Sequence, residues 1–154
     1  SGAMPELNGK GLRIGLVSAR FNDHIVTALR DGALRGLERC GVADNDIVEH
    51  WVPGAFEVPL AAKVLAETGT VDAIICLGTV IRGDTPHFEY VCEAATRGVQ
   101  EAQMSTGVPV MFGVLTLNTE QQAIDRSGPG IDNKGDEAAV GAVEMALLLK
   151  TIRN

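Results

Sequence analysis

The sequence predicts an α/β domain built on a parallel β-sheet, with helices covering both faces. Three observations carry this. Four short apolar runs alternate with segments of helical periodicity. Each run reads as apolar throughout, the pattern of strands buried on both faces rather than one. The chain of 154 residues is long enough for one sizeable core and too short to expect two domains. Right-handed crossovers then follow almost by rule.

Residues 12–18 form the first apolar run, read as a buried strand. Asn22 can cap the next segment, where Ile25, Leu29, Leu34 and Leu37 recur at helical spacing. Cys40-Gly41 ends that helix, glycine being the expected terminator. Residues 47–52 make a second strand. A helix follows over 57–67, with Pro59 tolerable because it falls in the first turn. Residues 73–79 are the third strand, and a long helix runs over 86–105 until Gly107-Val108-Pro109. The fourth strand spans 110–117. Thr119 caps a short helix to Ser127, 128–135 is a loop, and 135–152 is the last helix. No repeat, low-complexity run or linker interrupts this order.

Composition narrows the functional classes. Hydrophobic residues make up 45% of the chain but aromatics only 4%, so the core is expected to be Ala, Val, Leu and Ile. A formal net charge of -7 argues against general binding to nucleic acid or anionic membrane, both of which need a basic face. It leaves room for a local cationic pocket. Cys40, Cys76 and Cys92 are odd in number and lack metal-ligand spacing, so neither a disulfide framework nor a metal site is expected. Cys76 sits in an apolar run and reads as a small core residue. No run reaches the ~20 apolar residues of a membrane span, and residues 1–11 lack a signal-peptide pattern. A cytoplasmic protein is the expectation.

In parallel sheets, ligands bind beyond the carboxyl ends of the strands. Three of the four segments that follow a strand carry unusual residues. Arg20-Phe21-Asn22 sets a large aromatic directly after the first strand; read alone, Phe21 serves best as a staple for the helix. In residues 53–59, Gly54 and Ala55 let a ligand lie against backbone. Glu57 reads equally as a first-turn acid or as an acceptor for ligand hydroxyls. The third segment leads from Thr79, Val80 and Ile81 through Gly83, Asp84 and Thr85 into a helix start, where free N–H groups favour anions. Asp84 would itself repel an anion, so backbone groups must make that contact. His87, in the first turn, faces the carboxyl edge and can move protons near neutral pH. Together these features favour a site over a simple cap. Arg126 and Lys134, further on, are residue types that more often sit as solvated surface charges.

Taken in order, these segments resemble the lumazine synthase family. The matching stretches are Ala19-Arg20-Phe21-Asn22, the Pro-Gly-Ala-Phe-Glu-Val-Pro run at 53–59, the run from Gly78 to Cys92 (GTVIRGDTPHFEYVC), Pro109 to Thr116, Glu120 through Arg126, and Asn133-Lys134-Gly135. They span about residues 12–153, and the central run is highly specific. The resemblance implies a flavodoxin-like three-layer sandwich: a four-stranded parallel sheet flanked by helices on both faces, over residues 12–154. It also implies condensation of 5-amino-6-(D-ribitylamino)uracil with 3,4-dihydroxy-2-butanone 4-phosphate. The product would be 6,7-dimethyl-8-ribityllumazine, released with phosphate and water in the penultimate step of riboflavin biosynthesis. No cofactor and no metal are implied.

The resemblance also implies roles for individual residues. Phe21, beside Asn22, would stack on the pyrimidine ring. Ala55, Phe56 and Glu57 would hold the ribityl chain. Thr79, Val80 and Ile81 would line the ring pocket. Asp84, Thr85 and Arg126 would hold the phosphate, and His87 would be the catalytic proton-transfer residue. Phe112 would add backbone contacts and Lys134 would approach from a loop. The family implies a pentamer-based homo-oligomer, closing in some members into a decamer or a sixty-subunit shell, with active sites between subunits. Phe112 and Arg126, or Lys134, would then serve a neighbour's pocket. Residues 1–11 are set apart as a segment for pairing with a neighbouring sheet, with 5–10 as the candidate strand. Riboflavin synthase is a candidate partner; nucleic acid and membrane are not.

Two rivals share the architecture. A flavin-binding electron carrier would need a hydroxyl-rich loop after the first strand, and Ser18-Ala19-Arg20-Phe21-Asn22 lacks one. The second rival is a related riboflavin synthase, which product identity would separate, or a shell protein without catalysis, against which His87 and Arg126 both argue.

Overall fold

Four parallel strands lie in the order β2-β1-β3-β4. They are β1 (Ile14–Ala19), β2 (Ile47–Val52), β3 (Ala73–Ile81) and β4 (Val110–Leu117). The helices are α1 (Asp23–Arg39), α2 (Val58–Glu67), α3 (His87–Thr106), α4 (Glu120–Arg126) and α5 (Lys134–Arg153). The structure is a computed structural model that describes residues 6–154. The flavodoxin-like three-layer arrangement expected from the sequence is the one observed.

Strand alternation divides the core in two. Ile14, Leu16, Ile75, Leu77, Leu115 and Leu117 face α1 and α5 and pack with Leu29, Leu37 and Val143. Val17, Ala19, Ile74, Cys76 and Val114 face the other way, against Val58, Ala62, Ala95 and Val99 of α2 and α3. Burying both faces is why β1 and β3 read as unbroken apolar runs. The second strand departs from that reading. β2 is an edge strand, and its Glu49, His50 and Trp51 are exposed. Glu49 accepts from Arg30 of α1, Nε at 2.5 Å and Nη2 at 2.9 Å, and polar residues of this kind are tolerated on an edge strand and blunt it.

Local chemistry sets the element ends. Gly41 and Gly69 adopt φ of +86° and +71° just beyond α1 and α2, the left-handed conformation glycine enters without strain. Thr119 forms a reciprocal capping box with Gln122, as a Thr-x-x-Gln start dictates. The last helix begins at Lys134, one residue earlier than the sequence suggests, because Asn133 caps it. Asn133 is fully buried. Its Oδ1 accepts from the N–H of Gly135 at 2.7 Å and of Asp136 at 3.2 Å, while Nδ2 donates to Ala28 O and Gly128 O. A Cβ on Gly135 would lie 1.9 Å from Leu29 O, so only glycine lets α5 approach α1 this closely. Beside this contact Asp136, 2% exposed, accepts from Arg39 Nη1 and Nη2 at 3.1 and 2.5 Å.

Residues 1–5 of the N-terminal segment lie outside the described residues. In the remainder, Leu7 packs against the α1/α5 core and Gly9 N–H donates to Cys40 O at 2.7 Å.

Candidate active site at the sheet switch point

From β1 the chain moves to one side to form β2 and then crosses back past β1 to form β3 on its other side, so the order reverses between β1 and β3. Such a switch point opens a crevice at the carboxyl ends of the strands. Three loops converge there. The backbone after β1 runs beside the backbone after β2, with Arg20 N–H donating to Val52 O at 2.8 Å and Phe21 N–H to Pro53 O at 3.1 Å. This pins the Phe21 main chain, while its ring stays 72% exposed. Phe21 therefore does not staple α1 to the core.

Asn22 is in the left-handed region at φ 62°, the one non-glycine residue with positive φ among the described residues. It stands at the N-cap of α1, yet its side chain does not bond the helix. Instead Nδ2 donates to Thr79 O at 2.9 Å. The sequence suggested a cap; the observed role is a tie between the loop after β1 and the end of β3. Asparagine suits it because it tolerates the left-handed region and carries a short amide donor.

After β2, residues 55–57 turn through one 3-10 turn before α2, so Glu57 is at the N-cap of α2 rather than inside it. Its carboxylate lies over Gly54, where a Cβ would sit 3.3 Å from Glu57 Oε1. Phe56 is 61% exposed beside it. After β3, residues 82–86 lead into α3. His87 is the first residue of that helix, one later than expected, and its N–H faces Thr85 Oγ1 at 3.4 Å.

These loops enclose a cavity of about 560 Å³. Phe21, Phe56 and Phe88 give it aromatic walls, and Val80, Ile81 and Val91 apolar ones. Gly54, Ala55 and Gly83 expose backbone to it, Glu57, Thr85 and His87 are its hydrogen-bonding side chains, and Thr79 also lines it. The lining suits a flat, partly polar ring with a hydroxylated arm, one face on an aromatic and the rim satisfied by a few polar groups. Thr79 lies by alternation on the Leu77 and Ile81 face of the sheet. Its Oγ1 is buried without a hydrogen-bond partner among the described residues.

Of the residues expected to form a site, the structure brings together Phe21, Ala55, Phe56, Glu57, Thr79, Val80, Ile81, Thr85 and His87. Asn22, Asp84, Phe112, Arg126 and Lys134 do not line this cavity. Asp84 is exposed on the loop before α3. Phe112 stands on edge strand β4, 42% exposed. Arg126 Nη1 donates to Gln122 O at 3.0 Å. Lys134 is in the first turn of α5 rather than in a loop, with Nζ 2.8 Å from Glu137 Oε2. Among the described residues, no lysine or arginine lines the cavity. Phe88 and Val91 were not singled out from the sequence. Val91 is legible after the fact, four residues beyond His87 on the same helical face.

The flavin-carrier reading fits poorly. Ser18, the hydroxyl nearest the end of β1, is 2% exposed, and residues 20–22 contain none.

Residues 11–150 match the family model described as 6,7-dimethyl-8-ribityllumazine synthase. The chain belongs to the lumazine synthase family. Membership assigns it to riboflavin biosynthesis as an enzyme of the transferase class. The match covers every strand and all but the last turn of α5. Among the described residues, no helix is long and apolar enough to cross a membrane.

Proposed function

We propose that the chain condenses 5-amino-6-(D-ribitylamino)uracil with 3,4-dihydroxy-2-butanone 4-phosphate to 6,7-dimethyl-8-ribityllumazine, releasing phosphate and water. The observation that carries this is the meeting, in one cavity at the switch point, of exposed Phe21 and Phe56 with Glu57 and His87. Phe21 stacks on the pyrimidine ring, and Val80 and Ile81 line its edge. Glu57 accepts the ribityl hydroxyls. Backbone N–H groups of Asp84 and Thr85 hold the phosphate, with the Thr85 hydroxyl. His87 moves the proton that imine formation and phosphate elimination require. Most of the acceleration comes from holding two substrates in one orientation, with a smaller part from proton transfer.

Departing phosphate needs a cation, and one protomer's cavity has none among the described residues. This supports a site completed by a neighbouring copy that supplies Arg126 and Phe112, within a pentamer-based homo-oligomer. A guanidinium grips phosphate by a fork of N–H donors, which favours Arg126 over Lys134 for this task. Among the described residues β2 and β4 are the edge strands of the sheet, so the N-terminal residues of a neighbour have an edge on which to add a strand. A cytoplasmic location and an encounter with riboflavin synthase belong to the same reading.

The test is product identity. Incubation with both substrates should give the lumazine, identified by chromatography and mass, with one inorganic phosphate per product. Phosphate release without lumazine would overturn the assignment.

A further inference from the structure

Arg82, the residue that follows β3, contributes nothing to the cavity lining, yet it is bound from several directions. Its N–H donates to Leu117 O at 2.8 Å, extending the β3–β4 ladder past the strand end. Its Nε donates to Asn118 Oδ1 at 2.9 Å. Its Nη1 pairs with Glu89 Oε1 in the first turn of α3. The guanidinium carbon lies 4.4 Å from the centroid of the Phe88 ring. One side chain thus joins the end of β4 to the start of α3, and residues 83–87 are strung between its backbone and its head group. Thr85, His87 and Phe88 all line the cavity.

We propose that Arg82 is a positioning residue for the reaction: it clamps the first turn of α3 to the end of β4 and so sets where His87 and Thr85 stand. The inference rests on the condensation reading above. Arg82 is not the missing phosphate cation. Nε and Nη1 are committed to Asn118 and Glu89, and its charge is neutralised by the Glu89 carboxylate, which the guanidinium hydrogen bond holds below the usual carboxylate range. A planar fork stacked on a ring is needed to serve Asn118, Glu89 and Phe88 together, and a lysine supplies only the charge.

The test uses the full chain with Arg82→Gln, Arg82→Lys and Glu89→Gln, read by steady-state kinetics and by hydrogen exchange over residues 83–91. For Arg82→Gln we expect kcat to fall about tenfold, as for a reacting group misplaced by a fraction of an ångström. The KM for the butanone phosphate should stay within about twofold, since no phosphate contact is removed. Glu89→Gln should shift kcat in the same direction, Arg82→Lys should recover only part of it, and exchange in 83–91 should rise while α5 is unchanged. A raised KM with kcat intact would make Arg82 an anion ligand. Unchanged kinetics, even with lowered thermal stability, would make the clamp structural only. Wild-type protein without synthase activity would refute the condensation reading instead. In that case, unaltered exchange in Arg82→Gln would separately refute the clamp.

Discussion

The Asn22 side-chain amide donates to the Thr79 carbonyl at 2.9 Å, tying the loop after β1 to the end of β3 across the switch point. Phe21 is thereby held from both sides, through its own N–H on Pro53 O and through its neighbour's tie to β3. Replacing Asn22 removes the tie, and a residue other than glycine also meets the cost of left-handed backbone. We expect Asn22→Ala to lower stability by about 2 kcal/mol and Asn22→Gly by about 1 kcal/mol. Equilibrium denaturation at fixed protein concentration checks this. Both variants should lose activity, because both free Phe21. An active Asn22→Gly with wild-type rate would mean that Phe21 needs no such support.

His87 lines the cavity from the start of α3 and is exposed enough to exchange protons with solvent. For His87→Ala we expect a rate lower by about 10- to 100-fold rather than abolished, since positioning by the remaining residues is kept. Complete loss of activity in a folded, correctly assembled variant would assign His87 a larger part.

The sequence and the structure agree most closely where a single local rule decides the outcome. Thr119 caps its short helix and the fourth strand spans Val110–Leu117, both as expected. The site segments were legible because ligand sites in parallel sheets follow strand ends, and unusual residues there stand out. What one chain's sequence conceals is tertiary partnership. Asn22 has the chemistry of a cap, but its amide finds a carbonyl 57 residues away. Asn133 reads as a turn residue, yet four long- and short-range partners make it the buried cap of α5. Nothing in the sequence marks Arg82, and its part emerges only when Glu89, Asn118 and Phe88 are brought around it. The polar residues of β2 become intelligible only once that strand is known to be an edge.

The α1–α5 contact should be the stability hinge of the domain. Arg39→Ala leaves the nearly buried Asp136 carboxylate without its guanidinium partner. Because Arg39 is itself half exposed, we expect a loss of about 2 kcal/mol, less than for a fully buried pair. Denaturant midpoints of Arg39→Ala and of the apolar exchange Asp136→Leu with Arg39→Leu separate loss of the pair from exposure of a bare charge. Equal destabilisation in both would contradict this account.

Glu89 carries a depressed pKa chiefly because Arg82 donates to its carboxylate. A carboxylate of this kind stabilises the fold above its unfolded pKa, and the contribution is lost as pH falls through the folded one. The clamp should therefore be intact at neutral pH and loosen only in acid. Side-chain NMR should show Glu89 titrating below an ordinary glutamate and moving upward in Arg82→Gln. A Glu89 midpoint indifferent to that substitution would disprove the contact in solution.

Burial pushes the Cys76 thiol up to about 12, so it carries almost no thiolate at pH 8. In the native protein Cys76 should resist an aromatic disulfide reagent and react only after unfolding. Rapid native reaction would show that the central strand β3 opens.

The central claim is that the Phe21-to-His87 cavity catalyses the condensation. Its most direct test is the initial rise of lumazine absorbance after mixing both substrates, alone, with the protein, and with Phe21→Ala. The account predicts a rate well above the spontaneous one with the protein, and most of that gain lost in folded, assembled Phe21→Ala. No acceleration by the protein, or equal acceleration by the variant, would contradict it.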